Sequence, residues 1–233
     1  MEKTIETNMP NKRATYGIYN WGPCVLKIKI SEEFHQLLIK EANESKKEEN
    51  LYQDKLAGII KEEYKFRDRS LFVPYFSQIL GVYDEAWQMW KNQKHERKPE
   101  YLLTALWANF QRKHEFNPPH DHSDQLSFVI YLSIPESLKK EHKEFKGKSS
   151  GPGGISFLYG EGDRQAITYQ AAFPEDRDMF IFPAWCKHYV APFESDGTRI
   201  SVSGNVAEKV SLNQIRKKEI EEWLPKEIED VNE

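Results

Sequence analysis

From Tyr101 onward the chain is written in short apolar runs: YLLTALWANFQR, LSFVIYLSI, GISFLYG, AITYQAAF, MFIFPAW and RISVSGNV, separated by loops rich in Pro, Gly and charge. Runs of this length, crowded with β-branched and aromatic residues, favour strands over helices. Several in succession predict a β-sandwich or barrel. The first hundred residues are different. Residues 1 to 15 are polar and aperiodic, and a β-type run, VLKIKI, then stops at Ser31. Ser31 followed by Glu32 and Glu33 makes a helix start, a side-chain acceptor with acids in the first turn. Phe34, Leu37, Leu38 and Ala42 continue at helical spacing to the KKEEN charge run. A second helix is expected over Phe76 to Lys94, where Ile79, Leu80, Val82, Tyr83, Trp87 and Trp90 form an apolar stripe. Leu212, Ile215, Ile220 and Trp223 predict a closing helix near the end.

These readings give one domain over residues 1 to 233. Residues 1–100 form a helical support, 101–207 the β core and 208–233 a C-terminal helix. No internal repeat is visible. The charged, glycine-terminated segment from Ser133 to Gly154 reads as a mobile excursion between strands and a candidate lid.

The chemistry is carried by a few polar residues in the β region. In NPPHDHSDQLSFVIYL, His120, His122 and Asp124 are spaced two apart. On a strand such residues share a face, so two or three of them can address one metal ion. Imidazoles and carboxylates together suit divalent iron and leave positions open for substrate and oxygen. A further apolar run, MFIFPAW, then delivers His188. Eleven residues later Arg199 opens RISVSGNV, with Ser201 on the same face. An arginine facing inward from such a strand is costly unless it meets an anion. Its planar fork suits a carboxylate, with the Ser201 hydroxyl as a second donor.

The order H-x-H/D, distal His, R-x-S resembles the iron(II)/2-oxoglutarate dioxygenase superfamily. NPPHDHSDQLSFVIYLSIP, GGISFLYG, FPAWCKHYVAP and RISVSGNV are most similar to the 2-oxoglutarate oxygenases of bacteria and tailed phages. The resemblance covers roughly residues 101–207. It implies a mainly β fold with flanking α-helices, built on a double-stranded β-helix of jelly-roll, cupin-like form whose open end holds Fe(II). It also implies 2-oxoglutarate as cosubstrate, O2 and an unidentified substrate as partners, and hydroxylation as the reaction. Arg199 and Ser201 would hold the distal carboxylate of 2-oxoglutarate, and Tyr131 occupies a position that contacts it in prolyl-hydroxylase-like relatives. The metal register stays open between His120/His122 and His122/Asp124, each completed by His188.

Blander readings stand beside these. H-x-H alone is more often an ordinary loop, and a jelly-roll that binds a ligand or partner without catalysis is the competing function. A zinc or manganese hydrolase or isomerase shares the ligands but gives Arg199 no dicarboxylate to hold. His35 is expected to be structural; Trp87, Trp90 and Trp107 are expected in the core; Asn109 and Asn205 are expected as satisfied core amides. Trp185, just before the His188 turn, is a candidate for the site mouth. Cys24 and Cys186 are too few for a disulfide framework and read as small buried apolar residues. Lys plus Arg (33) against Asp plus Glu (37) leaves a net charge of -4, which argues against a nucleic-acid partner. No apolar run suits a membrane helix, and MEKTIETNMPNKR lacks the apolar stretch of a secretory signal, so a cytoplasmic protein, or one of the host cytoplasm if phage-encoded, is expected.

Overall fold

The computed structural model describes residues 5–9, 12–16, 22–95, 98–161 and 168–209; the expected closing helix falls outside them except at its first two positions. Near the N-terminus β1 (Ile5–Met9) and β2 (Lys12–Tyr16) pair antiparallel. β3 (Leu26–Lys29) leads into α1 (Glu32–Glu44), and the Ser31 hydroxyl accepts the Phe34 amide at 3.2 Å, as the N-cap expectation requires. Phe34, His35, Leu38 and Ala42 are the buried face of α1. After β4 (Glu63–Lys65), α2 runs Val73–Lys91, three residues earlier at both ends than expected. Pro74 in the first turn presets the start. Asn92, with φ 53°, ends it in the left-handed conformation that asparagine tolerates. Val82, expected in the apolar stripe, is 47% exposed on the outer side.

The remaining strands are β5 (Tyr101–Gln111), β6 (Asn117–His120), β7 (Leu126–Ser133), β8 (Ile155–Leu158), β9 (Tyr169–Ala172), β10 (Asp178–Pro183), β11 (Lys187–Val190) and β12 (Arg199–Glu208). They make two antiparallel sheets. The larger has the order β3-β10-β7-β12-β5-β4 and the smaller β6-β11-β8-β9. The N-terminal hundred residues therefore do more than supply helices, because β3 and β4 are the edge strands of the larger sheet.

The larger sheet is buried on both faces, and the sequence of its central strands shows why. Along β7, Phe128, Ile130 and Leu132 join a core shared with α1 and α2. Val129 and Tyr131, between them, join a second core shared with Ile155, Phe157 and Val190 of the smaller sheet. β10 alternates in the same way, with Met179 and Ile181 outward and Phe180 and Phe182 inward. Side chains alternate with a period of two, so strands between two cores read as unbroken apolar runs. At Gly204 of β12 a Cβ would lie 2.4 Å from the Phe128 ring and 2.6 Å from the Ala105 carbonyl, so the strand needs glycine there. Two facing sheets of this connectivity form the double-stranded β-helix, the jelly-roll arrangement expected for the core.

The segment after β7 is not the mobile excursion expected. It folds as α3 (Glu136–Glu144), with Leu138 fully buried in the second core. The Glu141 carboxylate accepts the Glu194 and Ser195 amides at 3.0 and 2.8 Å. No helix among the described residues is long and apolar enough to cross a membrane.

Candidate metal centre

β6 and β11 are neighbours in the smaller sheet, with His120 directly opposite His188. β6 ends at His120, and the backbone amide of His122 is held outside the strand by the Ala184 carbonyl at 2.9 Å. The three rings converge, with centroids 4.3 Å apart for His120 and His188, 5.0 Å for His120 and His122 and 5.3 Å for His122 and His188. One potential ligand atom from each lies within 4.8 Å of the others. Among the described residues this is the one such group of histidine, cysteine and carboxylate side chains.

The hydrogen bonds also select the tautomers. His120 Nδ1 lies 2.7 Å from the Pro118 carbonyl and His188 Nδ1 3.0 Å from the Cys186 carbonyl. A carbonyl can only accept, so Nδ1 carries the proton in both rings and Nε2 presents a lone pair. Burial, reinforced by the neighbouring His120, pulls His188 down to about 3 and His122 down to about 4. Both rings are therefore neutral near pH 7, the form in which imidazole binds a metal. Phe182 meets His188 edge-on at 4.6 Å, and with Phe157 makes the apolar wall behind it.

Asp124 stands apart from the three rings. The chain bends over residues 123–125, and the Asp124 carboxylate accepts the Thr104 hydroxyl at 2.7 Å. The two-residue spacing that would have aligned it with His122 has no strand to act on.

The histidines lie at one part of a cavity of about 190 Å³ whose wall also includes Arg199, Ser201 and Tyr131. Register explains the grouping. Tyr131, Ser201, Asn109 and Glu63 sit opposite one another on β7, β12, β5 and β4, a row of four side chains across the inner face of the larger sheet. Arg199 is two residues from Ser201 and so shares its face. The guanidinium is 2% exposed and lies over the Tyr131 ring at 5.3 Å. Its Nη1 donates to the Gly153 carbonyl at 2.7 Å, and no carboxylate among the described residues pairs with it. Arg199 Nε and the Tyr131 hydroxyl are buried without partners. Each unpaired buried donor costs about 1–3 kcal/mol, a cost that an anion in the cavity removes. Burial lowers the Arg199 pKa and pushes Tyr131 up to about 12, so the phenol stays a donor.

Other candidates fall elsewhere. Trp185 is 55% exposed, packs by Tyr159 and does not line this cavity; nor does any residue from 133 to 154, so neither the mouth nor the lid expectation holds. Asn205 is a satisfied core amide, accepting the Ser127 hydroxyl at 2.9 Å. His35 is structural, with Nε2 2.8 Å from the Leu132 carbonyl. Trp107, expected in the core, lines the cavity 6.2 Å from the His122 ring. Asn109 lines it with its Oδ1 unpartnered, because its Nδ2 is given to the Ser201 and Ser203 hydroxyls. Sequence reasoning missed Glu63 and Asn117 altogether. Asn117 opens the NPPH run and had the signal of proximity to His120, whereas Glu63 lies on a three-residue strand too short to show periodicity.

Residues 105–205 match the model of a family described as "Putative 2OG-Fe(II) oxygenase". No curated protein sequence matches the chain. Among solved structures the chain is similar to a Pseudomonas putida prolyl-4-hydroxylase, at 12% identity over 79% of this chain and 92% of that one, with a TM-score of 0.50. It is also similar to the non-heme α-ketoglutarate-dependent carbocyclase SnoK of nogalamycin biosynthesis, at 12% identity over 79% of each chain, with a TM-score of 0.52. At such identities the likeness establishes the shared fold.

Proposed function

We propose that the chain is a 2OG-Fe(II) oxygenase, the family whose model residues 105–205 match, in which His120, His122 and His188 hold the iron while Arg199, Ser201 and Tyr131 hold 2-oxoglutarate. The single observation that carries the assignment is the convergence of the three imidazoles within 4.8 Å on the wall of the cavity that Arg199 also lines. With iron(II) bound, such a centre would couple decarboxylation of 2-oxoglutarate to succinate and CO2 with insertion of oxygen into a substrate C–H bond, succinate and the oxidised substrate each taking one atom of O2.

The chain's own residues supply position and environment. The Pro118 and Cys186 carbonyls fix two imidazoles in the ligating tautomer, which removes the cost of reorienting them when metal arrives. Arg199 Nε and the Tyr131 hydroxyl are free to donate to the distal carboxylate, and Ser201 adds a hydroxyl beside them. Phe157 and Phe182 keep water from the His188 side of the centre. Asp124, tied to Thr104, takes no part in this assignment.

The test is iron-dependent formation of succinate from 2-oxoglutarate. Wild-type protein should produce it, and His188→Ala should not, while both melt cooperatively. Undiminished succinate formation by His188→Ala in an active preparation refutes the assignment.

A further inference from the structure

Once the histidines are assigned to iron and Arg199, Ser201 and Tyr131 to 2-oxoglutarate, the buried polar groups left on the cavity wall are Glu63 and Asn109, with Asn117 and Ser203 half-buried and Asp121 and Lys55 exposed. Glu63 is 1% exposed, lines the cavity, and its Oε2 has no partner; no cation among the described residues pairs with it. Asn109, its register partner on β5, also has an unpartnered oxygen, with its Nδ2 donating to the Ser201 and Ser203 hydroxyls. The Asn117 oxygen comes to the same place. A Cβ on Gly58 would stand 1.9 Å from Asn117 Oδ1 and 3.6 Å from Glu63 Oε1, so glycine is what lets these two acceptors converge there. Two strand spacings, about 10 Å, separate Glu63 from Ser201 across the sheet, which places the acceptors beside the cosubstrate rather than on it.

We propose that Glu63, Asn109 and Asn117 form the substrate subsite and that it takes a cationic nitrogen, an amine or guanidine that offers several N–H donors. The proposal rests on the oxygenase reading for the placement of the cosubstrate. Glu63 Oε2 and Asn109 Oδ1 are buried without donors, Asn117 Oδ1 stands beside them, and the acid among the three favours a donor that carries positive charge. An anionic or acceptor-rich substrate would add repulsion to groups already short of partners. Burial, with the Glu115 carboxylate adding to it, already pushes the Glu63 carboxyl up to about 8. The carboxyl is therefore mostly protonated near pH 7 without a partner, and a bound cation opposes the shift and favours the carboxylate. Trp107, on the neighbouring position of β5, offers an aromatic wall near the metal end for the substrate's carbon frame.

Calorimetric titration of the protein loaded anaerobically with iron and 2-oxoglutarate tests this, with agmatine and putrescine as cationic probes and N-acetylputrescine and glutarate as the partly neutralised and anionic controls. The diamine or guanidine should bind, and Glu63→Gln should weaken it about 10- to 100-fold while 2-oxoglutarate affinity stays within about twofold. Gly58→Ala, which displaces Asn117 and meets Glu63 only at ordinary contact distance, should weaken the same probes. The proposal is overturned if neither cationic probe binds, if glutarate binds as well as they do, or if Glu63→Gln binds them undiminished. Failure of the oxygenase reading has another signature, loss of iron and 2-oxoglutarate binding by wild-type protein, and leaves probe binding to Glu63 measurable on the metal-free chain.

Discussion

Replacing Arg199 by Met separates the binding role of this side chain from its structural one. Met fills most of the same volume without charge. Arg199 is a fully buried cation whose one protein hydrogen bond goes to Gly153 and whose Nε has no protein partner. Removing it frees the fold from burying a charge and leaves the Gly153 carbonyl unpaired, two effects of a few kcal/mol and opposite sign. The unliganded melting temperature should therefore shift little. Binding is another matter, because removing one partner of a buried charge pair costs about 3–5 kcal/mol, or two to three and a half orders of magnitude in Kd. At about 100 times its Kd a ligand stabilises by about 2.7 kcal/mol, which is about 5–11 °C for a domain of this size. Thermal melts of the iron-loaded protein under argon, with and without 2-oxoglutarate, read this directly. Wild-type protein should gain that increment and Arg199→Met should gain none. A variant that keeps the 2-oxoglutarate increment refutes the role given to Arg199.

Two further outcomes follow from the geometry. His188 and His122 are lowered from 6.5 to about 3 and about 4, so their folded-state values lie below those of the unfolded chain. Their contribution to metal-free stability is thus complete above about pH 6.5 and is lost as pH falls toward 4; the difference in melting temperature between wild type and His188→Asn should shift across that window, and a constant difference contradicts the burial argument. Leu138→Ala removes a fully buried side chain that pins α3 to the second core, so it should cost about 2–5 kcal/mol in denaturant titrations with iron affinity unchanged, whereas an exposed lid would lose almost nothing.

Much of this architecture was legible in the sequence because its signals are local. Ser31 with its acids marks a helix start whatever surrounds it, and the uninterrupted apolar letters of LSFVIYLSI reflect a strand between two cores. The failures come from tertiary effects. α3 carries a single deeply buried anchor, Leu138, among charged residues, so its periodicity is too thin to distinguish it from a loop. Asp124 shares the spacing of a ligand, but spacing aligns side chains only while the strand lasts, and β6 stops at His120. Glu63 reaches the cavity only because β4 pairs with β5 at the sheet edge, a pairing some 46 residues apart that no local pattern encodes.

The central claim is that iron is held by His120, His122 and His188, with Asp124 outside the coordination sphere. Anaerobic titration of iron into protein and 2-oxoglutarate, followed by the visible charge-transfer absorption of the chelate, tests it in Asp124→Ala and His120→Ala side by side. The band should persist with near wild-type iron affinity in Asp124→Ala and vanish in His120→Ala; its loss in Asp124→Ala with retention in His120→Ala would contradict the account.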